Sequence, residues 1–231
     1  MANRARTQSG TTRSSGNEPN PLDKVIEFYE QYSKIINTVT SVVAIVVIGY
    51  FSYTKLYKGP REEKAATAIA FPQLLMRIDS LNLALNGDGQ HPGLAKIAKK
   101  YDGTESANLC RYYSGVCYMQ MGDFKNAIKQ LQDFDGKGTM LGYEAWGLLG
   151  EAYMETNNPK KAIEYFNKAT KDKSDVMLTP LYLYQEGLAY EANKQTAEAG
   201  KAFKRIRDEY PKSPQARNID IELASLGDIA D

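Results

Sequence analysis

The chain has 231 residues, 42% hydrophobic and 25% charged, and its 29 Lys+Arg against 28 Asp+Glu leave a formal charge of +1. No basic stripe emerges, which argues against nucleic acid as a partner. Two cysteines and one histidine supply neither a disulfide framework nor a zinc ligand set.

In chain order, residues 1–20 are rich in Ser, Thr, Arg, Asn and Gly and have almost nothing apolar to bury, so a disordered tail is expected. Pro21 suits a helix start. Leu22, Val25, Ile26, Tyr29, Tyr32 and Ile36 follow at helical spacing, so residues 21–34 read as a juxtamembrane amphipathic helix, either a mere extension or a contact surface. Residues 35–57 read IINTVTSVVAIVVIGYFSYTKLY, with no charge between Lys34 and Lys55, which is long enough to cross a hydrocarbon core of about 30 Å. Ile35, Val43, Val46, Ile48 and Phe51 are taken as its lipid-facing anchor residues. Phe28, Tyr29 and Tyr32 flank one end and Tyr50, Phe51, Tyr53 and Tyr57 the other, as aromatic belts do. One helix is therefore expected from Pro21 to Tyr57. Lysines and arginines lie at both ends of the span, but short arginine-bearing tails resist translocation whereas long domains cross regardless of charge. The expected topology is single-pass, with the N-terminus cytoplasmic.

Beyond residue 60 lie 22 of the 29 basic and 24 of the 28 acidic side chains, and lead or capping helices are expected over 61–107. Residues 62–86 are Ala- and Leu-rich, with Pro72 expected to kink or break the helix, and residues 94–101 form a second short helix. Residues 87–93 form a loop carrying the one histidine, His91. Cys110 and Cys117, seven apart on one predicted helix, stand about 10 Å apart along its axis, too far to bridge each other. They are read as buried small hydrophobes.

From residue 108 onward the chain repeats itself. Gly115/Tyr118, Gly150/Tyr153 and Gly187/Tyr190 spell Gly-x-x-Tyr three times, and an alanine follows each glycine at the same interval: Ala127, Ala162 and Ala199. Four residues on stands a large apolar side chain, Leu131, Phe166 or Phe203. Small residues where two helices must approach, and a large one plugging the next interface, indicate stacked helical hairpins. The units are placed at 108–142, 143–179 and 180–213, with a C-terminal capping helix over 214–231. The fold class is all-α, a transmembrane helix followed by a helical-hairpin solenoid.

These units resemble the tetratricopeptide repeat. Counted from Tyr143, the middle unit carries Trp146, Leu149, Gly150, Tyr153, Ala162, Phe166 and Ala169 where that family has them, with Asn157, Asn158 and Pro159 at the turn. Phe134 and Ile206 stand where a small residue is usual, and neither outer unit has the tryptophan. The resemblance implies a concave protein-binding groove lined by the first helix of each unit. The corresponding positions are Leu109, Tyr112, Val116 and Met119, then Glu144, Gly147, Glu151 and Met154, then Leu181, Tyr184, Leu188 and Glu191. Apolar, adaptable side chains there suit extended polypeptide, unless some pack against the capping helices or a neighbouring unit. The family's carboxylate clamp of Lys, Asn and Arg is absent from these positions. An N-terminal anchor, Ala-rich lead helices and a short array together are similar to the bacterial ancillary SecYEG translocon subunit (YfgM-like) family. That resemblance implies the Sec translocon, a periplasmic foldase or chaperone and client polypeptides as partners, with the repeats in the periplasm and the anchor in the inner membrane. Two other readings stay open: a structural adaptor of a division or outer-membrane assembly complex, and an organellar import receptor.

No nucleophile elbow, phosphate loop or His-Glu-x-x-His occurs, so neither catalysis, cofactor, metal nor small-molecule substrate is expected. For the anchor, replacing Val43 and Val46 together by lysine should release the protein from carbonate-washed membranes, because each lysine near the bilayer centre costs about 2.5–3.5 kcal/mol. Continued retention would locate the anchor elsewhere.

Overall fold

The computed structural model describes residues 21–227, and the tail at 1–20 and the last four residues of the expected capping helix lie outside them. The chain divides into two compact units, one ending at Thr54 and one running from Lys55 onward.

The first unit is helix α1, Pro21–Ser52. Val25, Phe28, Ile35, Val43, Val46, Ile48 and Phe51 along it are exposed, and Ile36 is half-buried. It belongs to the one helix among the described residues that is long and apolar enough to cross a membrane, with a mean hydropathy of 2.0 over its most apolar window and none of that window buried. The α-helical geometry does not run to Tyr57 as expected. It gives way at Tyr53–Lys58 to a π-helical turn. The cause lies just beyond: Pro60 has no N–H to offer the carbonyl four residues back, and its ring crowds that carbonyl, so the preceding turn widens.

The second unit opens with α2, Gly59–Arg77, α3, Leu81–Asn86, and α4, Leu94–Lys100. Pro72 is buried inside α2 without interrupting it. The interruption falls instead at Asp79, whose φ of 58° lies in the left-handed region. Ile69, Leu75, Leu85, Leu94 and Ile97 form one core with Cys110 and Cys117, both free thiols with no exposure. Burial pushes the thiols up to about 12 and about 11, respectively. His91 lies at the surface, stacked on Phe71 at 4.1 Å and with Nδ1 3.1 Å from Asp88 Oδ2.

Three hairpins follow: α5, Glu105–Gln120, with α6, Phe124–Gln132; α7, Met140–Glu155, with α8, Pro159–Ala169; and α9, Leu178–Ala192, with α10, Thr196–Glu209. A 3-10 turn, Gln215–Asn218, and a short helix α11, Ile219–Ser225, close the stack. Each hairpin is made possible by its glycine. A Cβ added at Gly115 would stand 2.5 Å from Leu131, at Gly150 2.5 Å from Phe166, and at Gly187 2.2 Å from Phe203. The large side chain thus seals the crossing within its own hairpin rather than the next interface. Fully burying each such side chain contributes about 1.5–3 kcal/mol.

The turns share one geometry. Gly122, Asn157 and Lys194 have φ of 73°, 56° and 61°, and the amide after each donates to a carbonyl five residues back: Asp123 to Tyr118, Asn158 to Tyr153, Gln195 to Tyr190. This is the Schellman closure of a helix. Asp123 and Asn158 then cap the second helix through their side chains. Between units, Gln132 Nε2 donates to Tyr153 Oη and Asn167 Nδ2 to Tyr190 Oη, at 3.0 and 3.1 Å. Gln132 and Asn167 occupy the same position of successive repeats, so the bond recurs with the period.

The six helices of the hairpins alternate in direction, so the starts of α5, α7 and α9 share one edge of this unit, and hydrogen bonds from the start of α2 to the start of α5 bring α2 to the same edge. Contacts along that edge agree. Glu62 accepts from the amides of Glu105 and Ser106 at the start of α5 and from the Ser106 hydroxyl, while Arg61 donates to the carbonyls of Lys100 and Asp102. Partial burial raises the Glu62 pKa, but the Ser106 hydroxyl and the two amides outweigh it and hold the carboxyl below its ordinary value. Asn108 exchanges hydrogen bonds with the backbone of Asp135, and Tyr210 Oη donates to the Lys173 carbonyl.

Gly150→Leu should loosen the array, because overpacking of a close crossing costs about 1–3 kcal/mol. A thermal melt of the fragment from Lys55 onward checks this, and an unchanged midpoint would overturn the assigned register.

Candidate functional site

The candidate site is the face made by the first helices of the three repeats. Thr104 and Thr139 start α5 and α7 by accepting from the amides of Ala107 and Gly142. At the third unit the Asp175 carboxylate takes this place, accepting from the amides of Met177 and Leu178 at 2.9 and 2.8 Å. These caps fix where each helix begins and hence which residues reach the face.

Of the positions expected on this wall, Leu109, Val116, Met119, Glu151, Met154, Leu181, Tyr184 and Leu188 are half-buried, as are Glu144 and Glu191. Two positions differ. Tyr112 is only 5% exposed and packs in the central core, 5.3 Å from the ring of Phe134, rather than standing on an open wall. Gly147 is covered, because the ring of Tyr182 lies where its Cβ would be. The reason is volume. Helix α7 carries Gly142, Ala145 and Gly147 on its buried sides, and tyrosines from both neighbouring units belong to the core it shares. Phe134, at a position usually small, becomes part of that filling.

The third unit meets the C-terminal cap. Tyr184 Oη donates to Glu222 Oε1 at 2.8 Å, and Tyr184 and Leu188 pack against the cluster that contains Ile219 and Leu223. A cavity of about 360 Å³ remains beside them, lined by Leu181, Tyr184, Gln185, Pro214 and Glu222 among others. The apolar wall therefore continues from Val116, Met119 and Met154 towards Leu181, then runs under α11.

The polar groups on this face are carboxylates. Burial, then the neighbouring Glu155, pushes Glu151 above its ordinary value; burial, then Glu222, does the same to Glu191. Tyr112 hydrogen-bonds Glu144, and burial followed by that carboxylate drives the phenol far upward. Among the described ion pairs none neutralises Glu144, Glu151, Glu155, Glu191 or Glu222. Among the described residues the face thus combines apolar side chains with carboxylates that stand outside any ion pair.

Family models match where the geometry places the hairpins. One tetratricopeptide repeat model matches residues 143–171 and another matches 110–135 and 182–213. The array is built of tetratricopeptide repeats. No curated protein matches the chain. Repeats of this type mediate protein–protein contact, and among the described residues no group of three His, Cys, Asp or Glu side chains is placed to hold a metal ion.

One residue of consequence escaped the sequence reading. Glu186 is 5% exposed, its Oε2 accepts from the Thr170 hydroxyl at 3.1 Å, and Arg205 lies near enough to lower its pKa. Burial dominates and raises the carboxyl to about 7. Aligning the repeats exposes the signal: Ser114, Leu149 and Glu186 hold equivalent core positions, and only the middle one is apolar. Ser114 Oγ is likewise buried and has no hydrogen-bond partner. Since the folded-state value lies above the ordinary 4.5, the native state binds the extra proton between the two. The contribution of Glu186 to stability is then greatest below about pH 4.5, falls as pH rises towards about 7, and is flat above. Glu186→Gln should remove this slope and add up to about 3 kcal/mol at pH 8, measured by denaturant unfolding across pH 5–8. A wild-type slope of the opposite sign over that interval would refute the assignment.

Proposed function

We propose that this protein is a membrane-anchored tetratricopeptide adaptor of the bacterial envelope that serves an ancillary role at the Sec translocon. In this reading α1 crosses the inner membrane with its N-terminus in the cytoplasm, and the array works in the periplasm on emerging or envelope polypeptides together with a foldase or chaperone. The observation that carries the reading is the pairing of one long, exposed apolar helix with a repeat array whose first-helix face is apolar and uncompensated in charge. Val116, Met119, Met154 and Leu181 offer adaptable apolar contact without demanding one sequence. Glu144, Glu151 and Glu191 select lysine- or arginine-bearing segments over a terminal carboxylate. The array acts by binding and carries out no chemistry of its own.

Photocrosslinkers at Met119 and Met154 in native membranes should capture a translocon, foldase or client polypeptide. Glu151→Lys should weaken that capture about tenfold, ~1.4 kcal/mol, and its effect should shrink at high salt. Crosslinks confined to the chain itself, with partner recovery unchanged in Glu151→Lys, would mean the face is internal packing and would remove the adaptor assignment.

A further inference from the structure

The edge of the array at which α2, α5, α7 and α9 begin carries large apolar side chains that stand exposed among the described residues. Met140 and Leu141 stand at the start of α7, 66% and 37% exposed, and Val176 and Met177 just before α9, 66% and 68% exposed. Met140 and Met177 hold the same position of successive repeats, and Leu141 and Val176 flank them. A cavity of about 360 Å³ beside the second pair is lined by Val176, Met177, Tyr210, Pro211, Lys212 and Pro214. Exposed lysines stand next to these side chains, Lys137 in the loop before α7 and Lys171 and Lys173 in the loop before α9, the last with its Nζ 3.8 Å from Glu209 Oε2. The acids of the second loop are engaged locally: Asp172 holds Ser174, and Asp175 accepts the amides that open α9. At the opposite edge, the turns around Asn157, Asn158, Asn193 and Lys194 are polar, with Ile78 and Met121 the large apolar side chains exposed there.

Chain connectivity says which surface lies near this edge. The unit opens at Lys55, directly after the apolar span, and its first helix is held to this same edge by Glu62 and Arg61. We propose that the edge rests on the bilayer: Met140, Leu141, Val176 and Met177 enter the headgroup layer, with Lys137, Lys171 and Lys173 beside them at the level of the phosphates. Apolar side chains flanked by lysine stems are the composition that partitions into this interface. The array is then held with the starts of its first helices against the lipid, and its binding face opens sideways along the membrane. This inference rests on the span being a membrane anchor and is independent of what the binding face captures.

The full chain in liposomes of phosphatidylethanolamine and phosphatidylglycerol provides the test. Single cysteines at Met140, Met177 and, as control, Asn157 are labelled with an environment-sensitive fluorophore, which the two buried native thiols permit. Emission from 140 and 177 should shift to the blue and be quenched by spin-labelled lipid, while position 157 shows neither. Equal, water-like emission from all three positions would overturn the proposal. So would a blue shift at 177 that disappears on diluting the protein in lipid, which would assign the edge to a second copy. A blue shift without quenching by spin-labelled lipid would assign it to protein and equally overturn the proposal. Carbonate extraction of the same liposomes separates failure of the edge from failure of the anchor.

Discussion

The contact of a bare helix backbone with one large side chain organises this array. At Gly115, Gly150 and Gly187 there is no room for a methyl group, because Leu131, Phe166 or Phe203 already occupies it. Each hairpin therefore closes on a knob held against a flat surface, and the alanines Ala127, Ala162 and Ala199, all without exposure, keep the second helix equally close. Everything between units follows from that spacing. Once the two helices of a hairpin are drawn together, the side chains left over face the neighbouring unit, and the Gln132–Tyr153 and Asn167–Tyr190 hydrogen bonds repeat in register. Stability in such a stack accumulates along one dimension, unit by neighbouring unit.

The repeats were legible in the sequence because their determinants are local and periodic. Glycine, alanine and aromatic residues at fixed intervals state a backbone approach directly. Departures from that pattern were harder to interpret. Phe134 was visible as an anomaly, but its consequence, a core that retains Tyr112, depends on the small residues of α7 across the interface. Pro72 looked like a helix break, yet its position inside the packed lead bundle sustains α2, and the chain turns instead at Asp79, which tolerates a left-handed backbone. The π-helical turn before Gly59 follows from Pro60 acting backwards on the preceding turn, a signal present in the sequence but outside the simple hydrophobic period.

The binding face shows a similar division. The register names which first-helix positions share one column, whereas how far they stand open depends on tertiary contacts that no register contains. Tyr184 and Leu188 lie in the right column of the array but partly beneath α11, and Gly147 is roofed by a tyrosine from the next unit. What stays half open is a narrower strip, apolar in Val116, Met119 and Met154 and bordered by Glu144, Glu151 and Glu191. Charge sets its preference more than shape does. Among the described ion pairs none reaches these carboxylates.

The paired side chains at the start of the array have a mechanical meaning. Arg61 grips the end of α4 and Glu62 the beginning of α5, so adjacent residues of α2 hold two helices that run in opposite directions. Any tension arriving through the polypeptide at Lys55 meets this double grip before it meets a repeat. Those bonds share the load among several donors and acceptors, so that no single contact carries it and the repeats beyond are shielded.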